Sequence, residues 1–185
     1  SDRLTFSVGA FVNEFSDYIY QANTGEEQDE LPVYVWTQGD ARFQGFEAEA
    51  SWEAARWEGG SLRFNAGYDT VTGELDSGSN RHLPRIPPSR WMIGTMLSMG
   101  DLAGEISWRE VADQNDVADD ELATDGFSDL RASLSYAADI GEHRLEIFIN
   151  GRNLTDEEQR LHTSFIGQLA SQPGRTLEAG VRYHL

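Results

Sequence analysis

The residues able to do chemistry are few and scattered. Four histidines, His82, His143, His162 and His184, are the only imidazoles, and there is no cysteine. That absence removes thiolate nucleophiles, disulfide frameworks and cysteine-type zinc sites together. His82 and His162 stand in polar stretches that also carry carboxylates. Imidazole with carboxylate oxygen is a workable zinc set, so these two are the candidate metal contacts. His143 and His184 read as structural. Asp113, Asp116, Asp119, Asp120 and Glu121 form an acidic run of hard oxygen donors. The run lacks the spacing and the glycine of an EF-hand loop, so a solvated loop is the expected reading. Ser164, close after His162, is the only candidate nucleophile–base pair. Gly-x-Ser-x-Gly, His-Glu-x-x-His, a phosphate-binding loop and Gly-x-Gly-x-x-Gly are all missing. No enzyme activity is expected, and no cofactor.

Charge narrows the partners. The 185 residues carry 14 Lys+Arg and 32 Asp+Glu, a formal net charge of −18. Such a surface repels phosphate backbones, so a nucleic-acid partner is not expected. Four segments, 22–42, 71–88, 112–126 and 155–174, hold sixteen of the acids against four arginines, a net −12. Acidic loops keep a protein solvated; they also form a mouth that concentrates cations. The sequence leaves both readings open.

The elements that position these residues alternate with period two. Leu4, Phe6, Val8, Ala10 and Val12 alternate with small or polar residues. Seven further runs do the same, at 46–52, 62–69, 90–97, 102–109, 129–136, 144–150 and 176–185. This is strand periodicity, and each run approaches the ~9–11 residues that a tilted strand needs to cross a bilayer. The connections alternate between long and short. About twenty residues around Gly25–Pro32 join the first two strands; later long links fall near 72–88, 112–126 and 155–174. Short turns on one side and long loops on the other mark outer-membrane barrels.

The expected fold is therefore all-β, an antiparallel up-and-down transmembrane β-barrel with about eight strands in this chain. A two-sheet sandwich is the soluble alternative. On the barrel reading the apolar faces meet membrane lipid. Glu47, Glu49, Arg63, Asp69, Arg109, Arg131 and Arg182 face a wet lumen. Closure satisfies every backbone group, as lipid demands. Tyr18, Tyr20, Trp36, Trp52, Trp57, Trp91, Trp108, Tyr136 and Tyr183 fit an interfacial belt.

Several stretches taken together resemble the C-terminal barrel portion of TonB-dependent outer-membrane receptors. They are Phe15-Ser16-Asp17-Tyr18-Ile19-Tyr20, Gly45-Phe46-Glu47-Ala48-Glu49 and Arg85-Ile86-Pro87-Pro88-Ser89-Arg90. The tail adds Asn150-Gly151-Arg152-Asn153-Leu154-Thr155-Asp156, Arg160-Leu161-His162-Thr163-Ser164-Phe165 and Pro173-Gly174-Arg175. Glu178, Gly180, Tyr183 and Leu185 resemble the terminal signal read by the barrel-assembly machinery, with Leu185 where phenylalanine is usual. The His-x-Ser-Phe loop and the Tyr-Ile-Tyr segment are most similar to the zinc-importing branch. The resemblance implies localisation in the Gram-negative outer membrane and import of a metal ion or a metal chelate such as a siderophore. It also implies a barrel of about 22 strands, a plug domain that this chain lacks, and TonB as a partner. Residues 1–185 are then expected to be a C-terminal barrel segment. A self-contained eight-stranded structural or adhesive barrel is the alternative.

Overall fold

The computed structural model describes residues 3–184, apart from 120 and 142, and no side chain is described for His184. The eight strands are β1 (Leu4–Gln28), β2 (Leu31–Trp57), β3 (Gly60–Leu75) and β4 (Arg90–Met99), then β5 (Leu102–Val111), β6 (Phe127–Ile140), β7 (His143–Arg152) and β8 (Thr176–His184). They form one sheet in sequence order, each antiparallel to the next. Among the described residues β1 does not pair with β8, so the sheet is open.

The registers explain why the alternation was so regular. Val8 pairs with Ala48, Ala48 with Tyr68, and Tyr68 with Trp91. Ile93 pairs with Trp108, Trp108 with Leu130, Leu134 with Ile149, and Ile149 with Ala179. Each apolar set therefore continues its neighbour's, and one apolar face spans all eight strands. On the opposite face Glu47 pairs with Asp69, Asp69 with Arg90, Arg109 with Asp129, and Glu146 with Arg182. A one-residue slip anywhere would exchange the two faces.

The core is small. Ala41, Leu83 and Phe127 are the buried hydrophobic residues among those described, while Phe6 is 74% exposed and Val8, Ile93, Ile147 and Val181 are also exposed. Among the described residues no second sheet covers the apolar face, so the sandwich alternative fails.

Gly59, Gly100 and Gly141 sit with left-handed backbone, at φ 76°, 57° and 67°, in the three short turns at one end of the sheet. Only glycine adopts that conformation freely. The three long segments, 76–89, 112–126 and 153–175, lie at the opposite end.

One expected loop is not a loop. Around Gly25–Pro32, where a long connection is expected, β1 and β2 continue and turn at Asp29-Glu30, both left-handed at φ 53° and 63°. That geometry matches the right-handed twist of a two-residue hairpin. Val33, Tyr34, Val35 and Trp36 supply strand propensity, and Pro32 lies beyond the stretch that β3 reaches, where no donor is needed. A bulge interrupts β1 between Phe15 and Tyr18. Asp17 there is left-handed at φ 57°, and its N–H donates to Asp40 Oδ1 at 3.2 Å. The extra residue brings Phe15 and Tyr18 together with Phe43, ring centroids 5.1–5.8 Å apart.

Segment 76–89 folds back over the polar face. Leu83 N–H donates to Gly73 O at 3.0 Å, and Ile86 Cδ1 lies 2.7 Å from where a Cβ on Gly73 would stand. Gly73 thus has no side chain because the loop closes onto it.

Candidate functional site

The polar face and the long segments converge at one end of the sheet. Asp129 on β6 anchors the junction and is 2% exposed. Its Oδ2 accepts from Arg109 Nη2 at 3.0 Å and from Arg131 Nε at 2.8 Å, and its Oδ1 accepts from the Asn153 N–H at 3.2 Å. Asn153, left-handed at φ 47°, turns the chain out of β7. Its Nδ2 donates to Glu157 O at 2.8 Å and its Oδ1 accepts from the Glu157 N–H at 3.0 Å. Glu157 in turn takes both the N–H and the hydroxyl of Ser128 at 2.7 Å. Segment 153–175 is thereby fastened to the start of β6.

A second cluster joins the three long segments to each other. Glu121, in 112–126, accepts through Oε1 from the Arg85 N–H at 2.8 Å and through Oε2 from the Ala118 N–H at 3.2 Å. His162, in 153–175, lies with Nε2 3.3 Å from Glu121 Oε1 and with Nδ1 3.1 Å from Thr124 Oγ1. The His162 side chain is only 2% exposed. The Nε2–carboxylate contact is off the direction of a good hydrogen bond, leaving Nε2 short of a full partner; it is an electrostatic contact more than a directed bond. The Arg85 guanidinium stacks on the Phe165 ring at 3.9 Å, and Asn80 Nδ2 donates to Val117 O at 3.1 Å. The three segments form one packed unit.

Burial pushes the Glu121 carboxyl up, but contacts with His162 and the two amides outweigh it and hold it below the ordinary glutamate range. A carboxyl depressed on folding adds stability that is present above its unfolded pKa. That stability is lost as pH falls through the lower folded value. The three-segment unit is therefore expected to loosen on acidification below the usual glutamate range. Glu121→Gln should weaken it at neutral pH and flatten the acid transition. Hydrogen exchange at the amides of Arg85 and Ala118 reads both effects.

A cavity of about 540 Å³ opens between this unit and the β1–β2 hairpin. Tyr20 and Tyr34 line it from the hairpin; His82, Arg85, Glu121, Leu122, His162 and Phe165 line it from the segments. Both candidate metal contacts thus reach one cavity. They do not build a ligand set. His82 Nε2 is 4.0 Å from Asp116, His162 is engaged by Glu121 and Thr124, and no group of three His, Asp or Glu converges among the described residues. The hydroxyl beside His162 is Thr124 and not Ser164.

The acidic run is not a free loop either. Gln114 and Thr124 bridge it into a hairpin, Asp113 Oδ1 accepts from the Gly126 N–H at 2.6 Å, and Asp119 Oδ1 accepts from Asn80 at 3.1 Å. Asp120 lies outside the described residues.

Glu47, Glu49, Arg63, Asp69, Arg109, Arg131 and Arg182 all lie on the one polar face, Glu49 pairing with Ser7 and Arg63 with Glu53. At the chain end Glu178 pairs with Asn150, Tyr183 with Leu145 and Gly180 with Phe148. A Cβ on Gly180 would lie 2.5 Å from the Phe148 ring, which gives that glycine a local packing reason. Leu185 lies outside the described residues.

Residues 1–154 match the family model described as TonB dependent receptor-like, beta-barrel. The chain belongs to the TonB-dependent receptor β-barrel family. Among solved structures it is similar to the copper transporter OprC, with a TM-score of 0.82 and 23% sequence identity. That match covers 100% of this chain and 29% of the transporter's, and at that identity it shows the fold alone. No curated protein sequence matches the chain. The receptor-barrel fold accounts for the single apolar face and the sorting of long and short connections.

Proposed function

We propose that these eight strands are part of the wall of an outer-membrane, TonB-dependent import receptor. The observation that carries this is the apolar face, continuous and in register across all eight strands yet exposed, in a chain of this family. Water penalises such a face; lipid does not. The apolar face meets lipid, the polar face lines the lumen, and the long segments are the extracellular loops. The barrel closes with strands beyond these eight, towards about 22 in all. The terminal strand, with Glu178, Gly180, Tyr183 and Leu185, carries the signal for the barrel-assembly machinery. The solute is a metal ion or a metal chelate. One structural neighbour is a copper transporter, and the His162–Phe165 loop resembles zinc importers.

Lumen-facing charges hold the plug of the full-length receptor through polar contacts. Glu47→Ala or Arg63→Ala should leave barrel assembly intact, seen as an unchanged heat-modifiable band. Each should loosen the plug, seen as increased sensitivity to large antibiotics. Loss of assembly in both variants contradicts the role.

Import is tested in cells that express the full-length receptor under zinc, copper or iron limitation. The expected result is rescue of growth on at least one metal, abolished when TonB is deleted. Rescue that is indifferent to TonB, or no rescue at all, contradicts the proposal.

A further inference from the structure

Beyond Leu75 the sheet loses a strand. β3 pairs with β2 only as far as Leu75, opposite Ala41, while β1 and β2 run on together to the turn at Asp29-Glu30. The Asp76 N–H still donates to Asp40 O at 2.9 Å, and segment 76–89 then folds back over the polar face. Backbone groups alternate in direction along a strand. Asp40 O points to the β3 side, so the N–H and C=O of Gln38, Trp36 and Tyr34 point there too. Among the described residues none of these groups has a backbone partner. For about 30 Å, at ~3.3 Å per residue, β2 presents an open edge.

Such edges are usually blunted by lysine, proline or a covering segment. Pro32 removes one donor near the tip, but Tyr34, Trp36 and Gln38 are exposed. A ribbon of two strands is also marginal in water by itself. Its side chains narrow what could complete it. From Leu4 to Ala41 the chain has no lysine or arginine. The ribbon carries Asp17, Glu26, Glu27, Asp29, Glu30 and Asp40, and among the described residues none of them forms an ion pair. Ile19 and Trp36, on adjacent rungs of a face shared with Gln21, Asn23 and Gln38, are 64% and 69% exposed. A second copy of the ribbon would set like charges side by side, which is destabilising. A strand with basic and apolar residues fits the charge and the exposed rings together.

We propose that this β2 edge docks an extended basic segment of a partner protein by strand addition. The segment takes the row that β3 leaves, its backbone pairing with Tyr34, Trp36 and Gln38. Its apolar side chains lie beside Trp36, and its Lys or Arg side chains meet the unpaired carboxylates. The ribbon stands at the loop end of the sheet, so on the import reading the partner approaches from outside the cell. The docking itself is independent of transport.

The test uses the full-length receptor in nanodiscs and three fluorescent decapeptides. One alternates lysine with valine, one glutamate with valine, and one lysine with proline. The third keeps the charge of the first but cannot pair as a strand. The lysine–valine peptide is expected to bind at least about tenfold more tightly than either of the others. Tyr34→Pro removes one edge N–H and no bond to β1. It should weaken that peptide about fivefold or more, the loss of one backbone hydrogen bond. Hydrogen exchange at the Val35 and Thr37 amides, which face β1, checks that the ribbon persists in the variant. Exchanging Glu26, Glu27, Asp29 and Glu30 together for their amides should weaken binding about tenfold at low salt and less at high salt. No binding of the lysine–valine peptide, or equal binding of the lysine–proline or glutamate–valine peptide, overturns the proposal. So does binding unchanged by Tyr34→Pro in an intact ribbon. If Tyr34→Pro loses the ribbon, the comparison of the three peptides on the wild type decides. Receptor that self-associates without peptide, and separates on Tyr34→Pro, would mean that a second copy covers the edge and would overturn it too.

Discussion

Ala50→Arg should destabilise the receptor by about 2–4 kcal/mol in a bilayer, the cost of an arginine near the midplane of a lipid-facing strand. Ser51→Arg, one residue on, should cost less than about 0.5 kcal/mol, as for an ordinary surface change. Ala50 lies on the apolar face, paired with Phe6 and Ala66; Ser51 lies on the polar face, paired with Thr5 and Asn65. Neither is buried within the sheet itself. In water the two substitutions would therefore be equally mild. Only a medium that differs between the two faces separates them. Urea unfolding of each variant in lipid vesicles measures the difference. Equal values would place water on both sides.

Asp129→Ala should cost about 2–3 kcal/mol and loosen the loop that follows β7. Breaking a fully buried ion pair costs about 3–5 kcal/mol, because a charge is stranded. Here the carboxylate is 2% exposed but both arginines reach partly into solvent, which lowers the figure. Arg109 and Arg131 lose their partner, and the Asn153 N–H loses its acceptor. Asp129→Asn should fall between, keeping an acceptor for Asn153 but no charge for the arginines. By contrast Asp69→Ala removes the more exposed pair with Arg90, worth about 0–1 kcal/mol. The same unfolding measurement ranks the three. Asp129→Ala matching Asp69→Ala would mean that the buried anchor carries no weight.

The wall was legible because each strand has one neighbour chemistry per face. Ile147 and Ile149 alternate with Glu146 and Asn150, and pairing with β6 and β8 keeps that order. The β1–β2 hairpin was not legible. Gly25, Glu26, Glu27, Asp29 and Glu30 have turn and loop character, and a strand pair that continues into water has no apolar face to betray it. The loop cluster was half legible. His162 was singled out for its chemistry, but its partners Glu121 and Thr124 belong to another loop, and no local pattern joins loops distant in sequence. Asp129 left a usable signal. It lies two residues before Arg131, hence on the same face of the strand, and registering β5 on β6 by their apolar residues would have set it opposite Arg109.

The most direct test of the account is the depth and direction of successive side chains on β3. The chain has no cysteine of its own, so single cysteines at 64 to 68 can each carry one bimane fluorophore. In vesicles with brominated acyl chains, Phe64, Ala66 and Tyr68 positions should be strongly quenched, and Asn65 and Gly67 positions weakly. That period-two pattern is the lipid-facing wall. Uniform quenching, or none at any of the five positions, would contradict it.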